Sequence, residues 1–244
     1  MNVSEITEEK LAKMIDQTNL RPDLNEEEMK KFVEEAKKYN FYGVAVMPLW
    51  VPTVTKMLGN SDMKIIAAIG FPLGAIPTEL KVAETRWVIE NGPSSPDKLE
   101  IDVVMNLTQL KSENYAAIKN EISEIVKTAE GRIVKVIIEV PLLTRKEIAI
   151  ASLLSAAAGA HFVKTATGFR GWGFPGPSLW RPTTAEDVAL IKSVVGDKLK
   201  VKASGGMETL SDVLAVIEAG ADRIGTAYGV QIINEYRKLK EVQK

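Results

Sequence analysis

Five charged side chains stand inside short apolar, β-branched runs: Asp16 in MIDQT, Asp102 in LEIDVVMN, Lys135 in IVKVIIE, Lys164 in FVKTAT and Lys202 in VKASGG. Burying a charge is costly unless it is paired, so each needs a reason. Taken alone, any one reads equally well as a strand-end charge that meets solvent or pairs with a neighbour. Five in one chain favour a shared site. Lys164 and Lys202 are the most telling pair. On adjacent parallel strands, ~4.8 Å apart, two inward-pointing amines lie within about 6 Å. At an effective dielectric near 20 their repulsion is roughly 3 kcal/mol, or about two pKa units. Desolvation pushes the same way. One amine is then neutral near pH 7, as an imine-forming nucleophile must be. A nearby carboxylate, Asp102, shuttles protons to and from the carbinolamine and the enamine carbon through a water. These residue types predict class I aldolase chemistry.

Composition removes most rivals. The chain has 244 residues, no cysteine and a single histidine, His161. Thiolate nucleophiles, disulfides and sulfur or His-cluster metal sites are therefore excluded, and no metal and no cofactor is expected. The net charge of −1 gives no field for nucleic acid. No apolar run is long enough to span a membrane, so no membrane partner is expected. The N-terminal MNVSEITEEKLAKM is acidic and amphipathic, unlike a secretory signal, and a cytoplasmic location is the default expectation.

The elements that must position the five charges alternate along the chain. Strand-like runs fall near 14–18, 42–47, 63–70, 98–106, 132–139, 160–165, 199–203 and 222–226. Helical periodicity occupies 25–39, 50–58, 77–91, 111–129, 144–157, 184–195, 209–219 and 228–240. Asn25 with Glu28 predicts a capping box, and Gly92, Gly159, Gly196 and Gly220 fall at expected helix ends. Eight βα units in 244 residues predict a (β/α)₈ TIM barrel, one domain over 1–244, with an extra N-terminal helix at about 7–14 plugging its floor. A doubly wound sheet is the rival, but the first strand leads into TNLRPD, without a glycine-rich turn.

One segment breaks the rhythm. GFRGWGFPGPSLWRPTT, 168–184, is far longer than an ordinary βα loop. Its literal G-x-G-x-x-G at Gly171, Gly173 and Gly176 precedes Pro177 and Pro182, so it does not open a helix as a dinucleotide site requires. A structured lid or an oligomer contact fits better. The exposed-looking Trp172 and Trp180 predict a homo-oligomer, a dimer or tetramer. For phosphate, the candidates are Ser204-Gly205-Gly206 after strand 7 and Gly225-Thr226-Ala227-Tyr228-Gly229 after strand 8. Ordinary βα turns favour glycine too.

In order, IDQTNLRPD, GFPLGA, EIDVVMN, VKVIIE, FVKTATGF, VKASGGMETL and EAGADRIGT resemble the successive signature segments of deoxyribose-phosphate aldolase, over about 11–233. That resemblance implies a cofactor-independent class I aldolase on a TIM barrel. Such an enzyme cleaves 2-deoxy-D-ribose 5-phosphate, a small phosphorylated sugar, to D-glyceraldehyde 3-phosphate and acetaldehyde. It implies Lys164 as the Schiff-base lysine, Lys202 as the lysine that depresses its pKa and Asp102 as the proton relay. Asp16 and Lys135 become orienting and electrostatic partners. Thr18 and Thr167 fall where substrate hydroxyls bind, and Gly168, Gly205, Gly206 and Gly225 where phosphate is cradled. The sequence also departs from the family. Gln17 stands where many members carry histidine, Ala45 replaces a cysteine of some members, and Ile76-Pro77 interrupts a usually polar stretch. The strand-8 loop reads GTAYG where serines are usual, so phosphate loses a hydroxyl donor. These departures leave open a related class I aldolase for another sugar phosphate or an unphosphorylated aldehyde. A non-catalytic phosphate-binding barrel, or an isomerase working by acid–base exchange, is the remaining alternative.

Overall fold

In the computed structural model, which describes residues 6–171 and 178–242, the strands close on themselves. They are β1 Ile15–Thr18, β2 Gly43–Val46, β3 Lys64–Ile69, β4 Leu99–Val104, β5 Val134–Ile137, β6 Phe162–Lys164, β7 Lys200–Ser204 and β8 Arg223–Thr226. Each pairs in parallel with the next, and β1 pairs with β8. The helices are α1 Glu8–Ala12, α2 Glu26–Lys38, α3 Val51–Leu58, α4 Thr78–Asn91, α5 Leu107–Lys111, α6 Tyr115–Thr128, α7 Arg145–Ala157, α8 Ala185–Val195, α9 Leu210–Glu218 and α10 Gly229–Val242. The architecture is a (β/α)₈ barrel.

Strand alternation divides the residues cleanly. Val44, Val46, Ile65, Ala67, Ile101, Val103, Val134, Val136, Val163, Val201 and Ile224 join the continuous apolar core against the helices. The alternate positions fill the barrel itself. Branched apolar side chains usually occupy that interior. Here Asp16, Glu100, Asp102, Lys135, Lys164, Lys202 and Arg223 do, all buried.

The helix starts follow the polar punctuation. Asn25 and Glu28 form the expected capping box, and Thr144/Glu147, Thr184/Asp187 and Thr209/Asp212 form three more. The helix expected over 111–129 is α6; a short α5, not expected, precedes it, and between them Glu113 turns to a φ of 55° and Asn114 caps the new start. Gly92 ends α4 as expected, in extended backbone, with Val88 O only 2.5 Å from where a Cβ would stand. The N-terminal α1 docks on α10, through Tyr236 OH donating to Ile6 O at 2.7 Å and an Arg237–Glu8 ion pair at 2.6 Å. Within the barrel, Arg223 stacks on Tyr42.

Outside the barrel interior, Lys81 of α4 is fully buried. It pairs with Glu121 of α6 at 2.7 Å and donates to Val104 O at 2.8 Å, which braces the C-terminal end of β4. His161 accepts a hydrogen bond from the Val134 amide through Nδ1, a structural contact at the start of β6.

Candidate active site

Register brings the five sequence-flagged charges together. Asp102 on β4 is the Cα partner of Lys135 on β5, and Lys164 on β6 that of Lys202 on β7. Asp102 is the hub. Its Oδ1 accepts from Lys135 Nζ at 2.7 Å, and its Oδ2 accepts from both Lys164 Nζ at 2.9 Å and Lys202 Nζ at 2.8 Å. Lys202 Nζ also lies 2.6 Å from Asp16 Oδ2. Gly225 makes this packing possible, since a Cβ there would stand 3.0 Å from Lys202 Cε.

Sequence reasoning missed a lower layer. Glu100, two residues before Asp102, lies 2.6 Å from Lys135 Nζ and accepts from Tyr42 OH at 2.7 Å. Arg223, two residues before Gly225, lies 3.0 Å from Asp16 Oδ1 and 3.6 Å from Glu100 Oε2. Its guanidinium sits 3.3 Å from the Tyr42 ring centroid. The available signal was the period of two, which puts Glu100 on the face of Asp102 and Arg223 on that of Gly225. Among the described residues the cluster holds four cations, Lys135, Lys164, Lys202 and Arg223, for three carboxylates, Asp16, Glu100 and Asp102.

That imbalance falls on Lys164. Burial presses its amine down to about 8; Asp102 resists, while Lys202 and Lys135 add to the fall. Burial, rather than the Lys202 repulsion that the sequence put first, is the larger cause. Lys135 goes the other way: despite its burial, Asp102 and Glu100 raise it. Asp102 is held well below the usual carboxylate range, since Lys135, Lys164 and Lys202 outweigh its own burial. Lys164 is therefore the amine that becomes a free base near neutrality. The rate of its reaction with an aldehyde is expected to rise about tenfold per pH unit up to about pH 8 and to level off above. A stopped-flow pH series measures this, and a rate flat across pH 6–9 contradicts it.

Lys164 lines a cavity that Lys135, Lys202 and Arg223 do not line. This cavity, of about 170 Å³, is also lined by Thr18, Thr167, Gly168, Gly205, Gly206, Gly225 and Thr226, the full set of expected substrate contacts. Gly206 has a φ of 87°, and Pro182 Cβ stands 2.4 Å from where its Cβ would be, so only glycine lets the loop from β6 lie against this turn. The hydroxyls are partly spoken for. Thr18 Oγ1 donates to Asp16 O, Thr167 Oγ1 accepts from Phe169 N, and Thr226 Oγ1 donates to Met207 O. The α9 N-terminus is closed by Thr209, Asp212 and Glu235, and the α10 start by Gln17, whose Oε1 accepts from Gly229 N and whose Nε2 donates to Ala227 O. The expected glycine turns, Gly205-Gly206 and Gly225, border this cavity.

The cavity rim comes from the long loop. Arg170 stacks over Trp180 at 4.3 Å and pairs with Glu208 at 2.6 Å. Trp180 is only partly exposed and lines the cavity of its own chain. Trp172, Gly173 and Gly176 lie outside the described residues. Among the described residues, no helix is long and apolar enough to cross a membrane, and no cluster of histidine, aspartate or glutamate is arranged to hold a metal.

An eight-stranded barrel with a buried lysine cluster at the floor of a glycine-rimmed cavity defines an aldolase-type barrel lyase. A family model described as DeoC/LacD family aldolase matches residues 10–235, and the chain belongs to that family. It is 46% identical over 229 residues to the deoxyribose-phosphate aldolase of Halalkalibacterium halodurans, covering 93% of this chain and 96% of that one. A deoxyribose-phosphate aldolase of Staphylococcus epidermidis is 47% identical over 222 residues, 91% and 94% of the two chains. Among solved structures, the aldolase QR15 superposes with a TM-score of 0.85 at 38% identity, covering 96% of this chain and 99% of that one. The tetrameric deoxyribose phosphate aldolase of Aeropyrum pernix does so with 0.83 at 33%, covering 96% and 93%.

Proposed function

We propose that this chain, acting as one barrel domain, is a class I aldolase that reversibly cleaves 2-deoxy-D-ribose 5-phosphate to D-glyceraldehyde 3-phosphate and acetaldehyde. The observation that carries the chemistry is the position of Lys164: the surplus cation of a four-to-three cluster, lowered to about 8, and the only one of the four on the cavity wall. The substrate reading rests on the relatives and on the glycine turns around that wall.

The free amine of Lys164 adds to the C1 aldehyde of the open-chain sugar and gives a carbinolamine. Loss of water leaves an iminium, whose positive charge replaces that of the ammonium beside Asp102. Removal of the C3 hydroxyl proton breaks the C2–C3 bond and sends its electron pair into the iminium. Glyceraldehyde 3-phosphate leaves, and an enamine remains. Protonation at C2 and addition of water release acetaldehyde and return the amine. Asp102 relays these protons through water. It holds each one briefly, because three lysines keep it ionised. Lys202 and Asp16 fix its orientation, and Lys135 anchors its other oxygen. Thr18 and Thr167 face the sugar hydroxyls, and Gly168, Gly205, Gly206, Gly225 and Thr226 face the phosphate.

No step calls on a metal or an organic cofactor, so a chelator is expected to leave the rate unchanged. A homo-oligomer in the cytoplasm completes the reading, and the tetrameric Aeropyrum pernix relative supports its oligomeric part. The test is a coupled assay for glyceraldehyde 3-phosphate from deoxyribose 5-phosphate; no turnover with correctly folded protein would overturn the reading.

The rim favours one second reading, a class I aldolase for another sugar phosphate or an unphosphorylated aldehyde, because it adds Trp180 and Glu208 to the cavity. Arg170→Ala separates the two. If a phosphate is the ligand, its KM for deoxyribose 5-phosphate rises roughly tenfold while that for deoxyribose is unchanged. Equal changes for both sugars favour the second reading.

A further inference from the structure

The floor of the barrel holds two charges that the mechanism above does not use. We propose that Glu100 and Arg223 are positioning residues that set the proton affinity of Lys164 from the layer beneath it, acting through Asp102 and never touching substrate. This rests on Lys164 being the nucleophile, not on the identity of the sugar.

The connection runs along two arms. In one, Arg223 holds Asp16 at 3.0 Å, Asp16 holds Lys202 at 2.6 Å, and Lys202 shares Asp102 Oδ2 with Lys164. In the other, Glu100 holds Lys135 at 2.6 Å, and Lys135 occupies Asp102 Oδ1 at 2.7 Å. Both arms end on the carboxylate that receives the Lys164 amine. Tyr42 fastens them together, donating to Glu100 at 2.7 Å while its ring carries the Arg223 guanidinium. Glu100 and Arg223 are 2% and 7% exposed, and neither lines the cavity that Lys164 opens onto.

Charge balance gives the sign. Around Lys164 stand Asp102 and Glu100 on β4, Lys135 on β5, Lys202 on β7, Asp16 on β1 and Arg223 on β8, with Tyr42 beside β2 and Arg170, Glu208 and Tyr228 on the rim. At the level of Asp102, β3 presents only Ala68. Removing the Glu100 charge makes the cluster one unit more positive, so Lys164 gives up its proton more easily. Removing the Arg223 charge does the reverse.

The experiment is competitive acetylation with acetic anhydride between about pH 6 and pH 10, with Lys164 followed by peptide mass. It reads the amine directly and needs no turnover. Glu100→Gln is expected to move the Lys164 titration down by about one pH unit, and Arg223→Gln to move it up by about as much, the size of one full charge at an effective dielectric near 20. The double variant removes one charge of each sign and is expected to return near the native position, and Arg223→Lys to stay there. Shifts of the same sign in both single variants, or no shift, would overturn the proposal, because general damage cannot move one lysine in opposite directions. Should Arg223→Gln not fold, Glu100→Gln decides: a downward shift supports the proposal and an unchanged titration overturns it. A native chain that labels as expected yet does not cleave deoxyribose 5-phosphate costs only the substrate reading.

Discussion

Lys164→Met is expected to abolish aldol cleavage and at the same time to stabilise the fold. Without the amine no imine forms, and loss of a nucleophile that acts as part of a catalytic unit lowers kcat by roughly four to six orders of magnitude. Stability moves the other way because Lys164 is the fourth cation over three carboxylates. Its folded-state pKa of about 8 lies below the unfolded value of about 10.4. Between those values the unfolded chain binds more protons, so the native protein gains stability as pH rises through that window. Below it the buried ammonium destabilises the fold on the order of 3 kcal/mol. Methionine removes that penalty and keeps the packing, so the variant melts roughly 5–10 °C higher at pH 7. The difference fades toward pH 10.5. Calorimetry at pH 7 and pH 10 measures it; a variant less stable than the native chain at pH 7 would show that Lys164 is a structural ion-pair partner, not a strained functional amine.

Asp102→Asn is expected to damage both properties. It leaves Lys135, Lys164, Lys202 and Arg223 facing only Asp16 and Glu100, in a buried site. Breaking a buried pair by removing one partner costs about 3–5 kcal/mol, or roughly 10 °C in melting temperature for a chain of this size. Turnover falls roughly a thousandfold with the proton relay. The amine itself answers in the opposite sense: without the carboxylate that raises it, Lys164 titrates lower still, so imine formation reaches its plateau at a lower pH than in the native enzyme. Steady-state turnover and single-turnover imine formation, measured over the same pH range, separate these effects. A variant within tenfold of native turnover contradicts the hub role of Asp102.

How much of this was readable beforehand depends on which physical signal each part left. The barrel was legible because eight β-branched runs alternate with helical periodicity, and Asp16, Asp102, Lys135, Lys164 and Lys202 were legible because a charge inside such a run is conspicuous. Glu100 and Arg223 were missed for the opposite reason. They sit at the first or second position of their strands, next to polar loop residues, where a charge looks solvated. Only the closure of β1 on β8 shows that Arg223 faces Asp16 across the seam. The short α5 was missed because five residues are too few for a helical period to show. The contact of Trp180 with Arg170 left no signal in composition, because it depends on how the long loop folds back on itself. The ranking of burial over lysine–lysine repulsion at Lys164 needed the depth of its burial, which register alone does not give.

The central claim is that the Lys164 amine forms an imine with the aldehyde. Incubation with acetaldehyde and sodium borohydride, followed by peptide mapping, tests it directly, because reduction turns an imine into a stable secondary amine. The expected result is one ethyl adduct, on Lys164, that is absent from Lys164→Met. An adduct on Lys202 would reverse the assignment of the two lysines, and no adduct on Lys135, Lys164 or Lys202 would contradict imine chemistry in this barrel altogether.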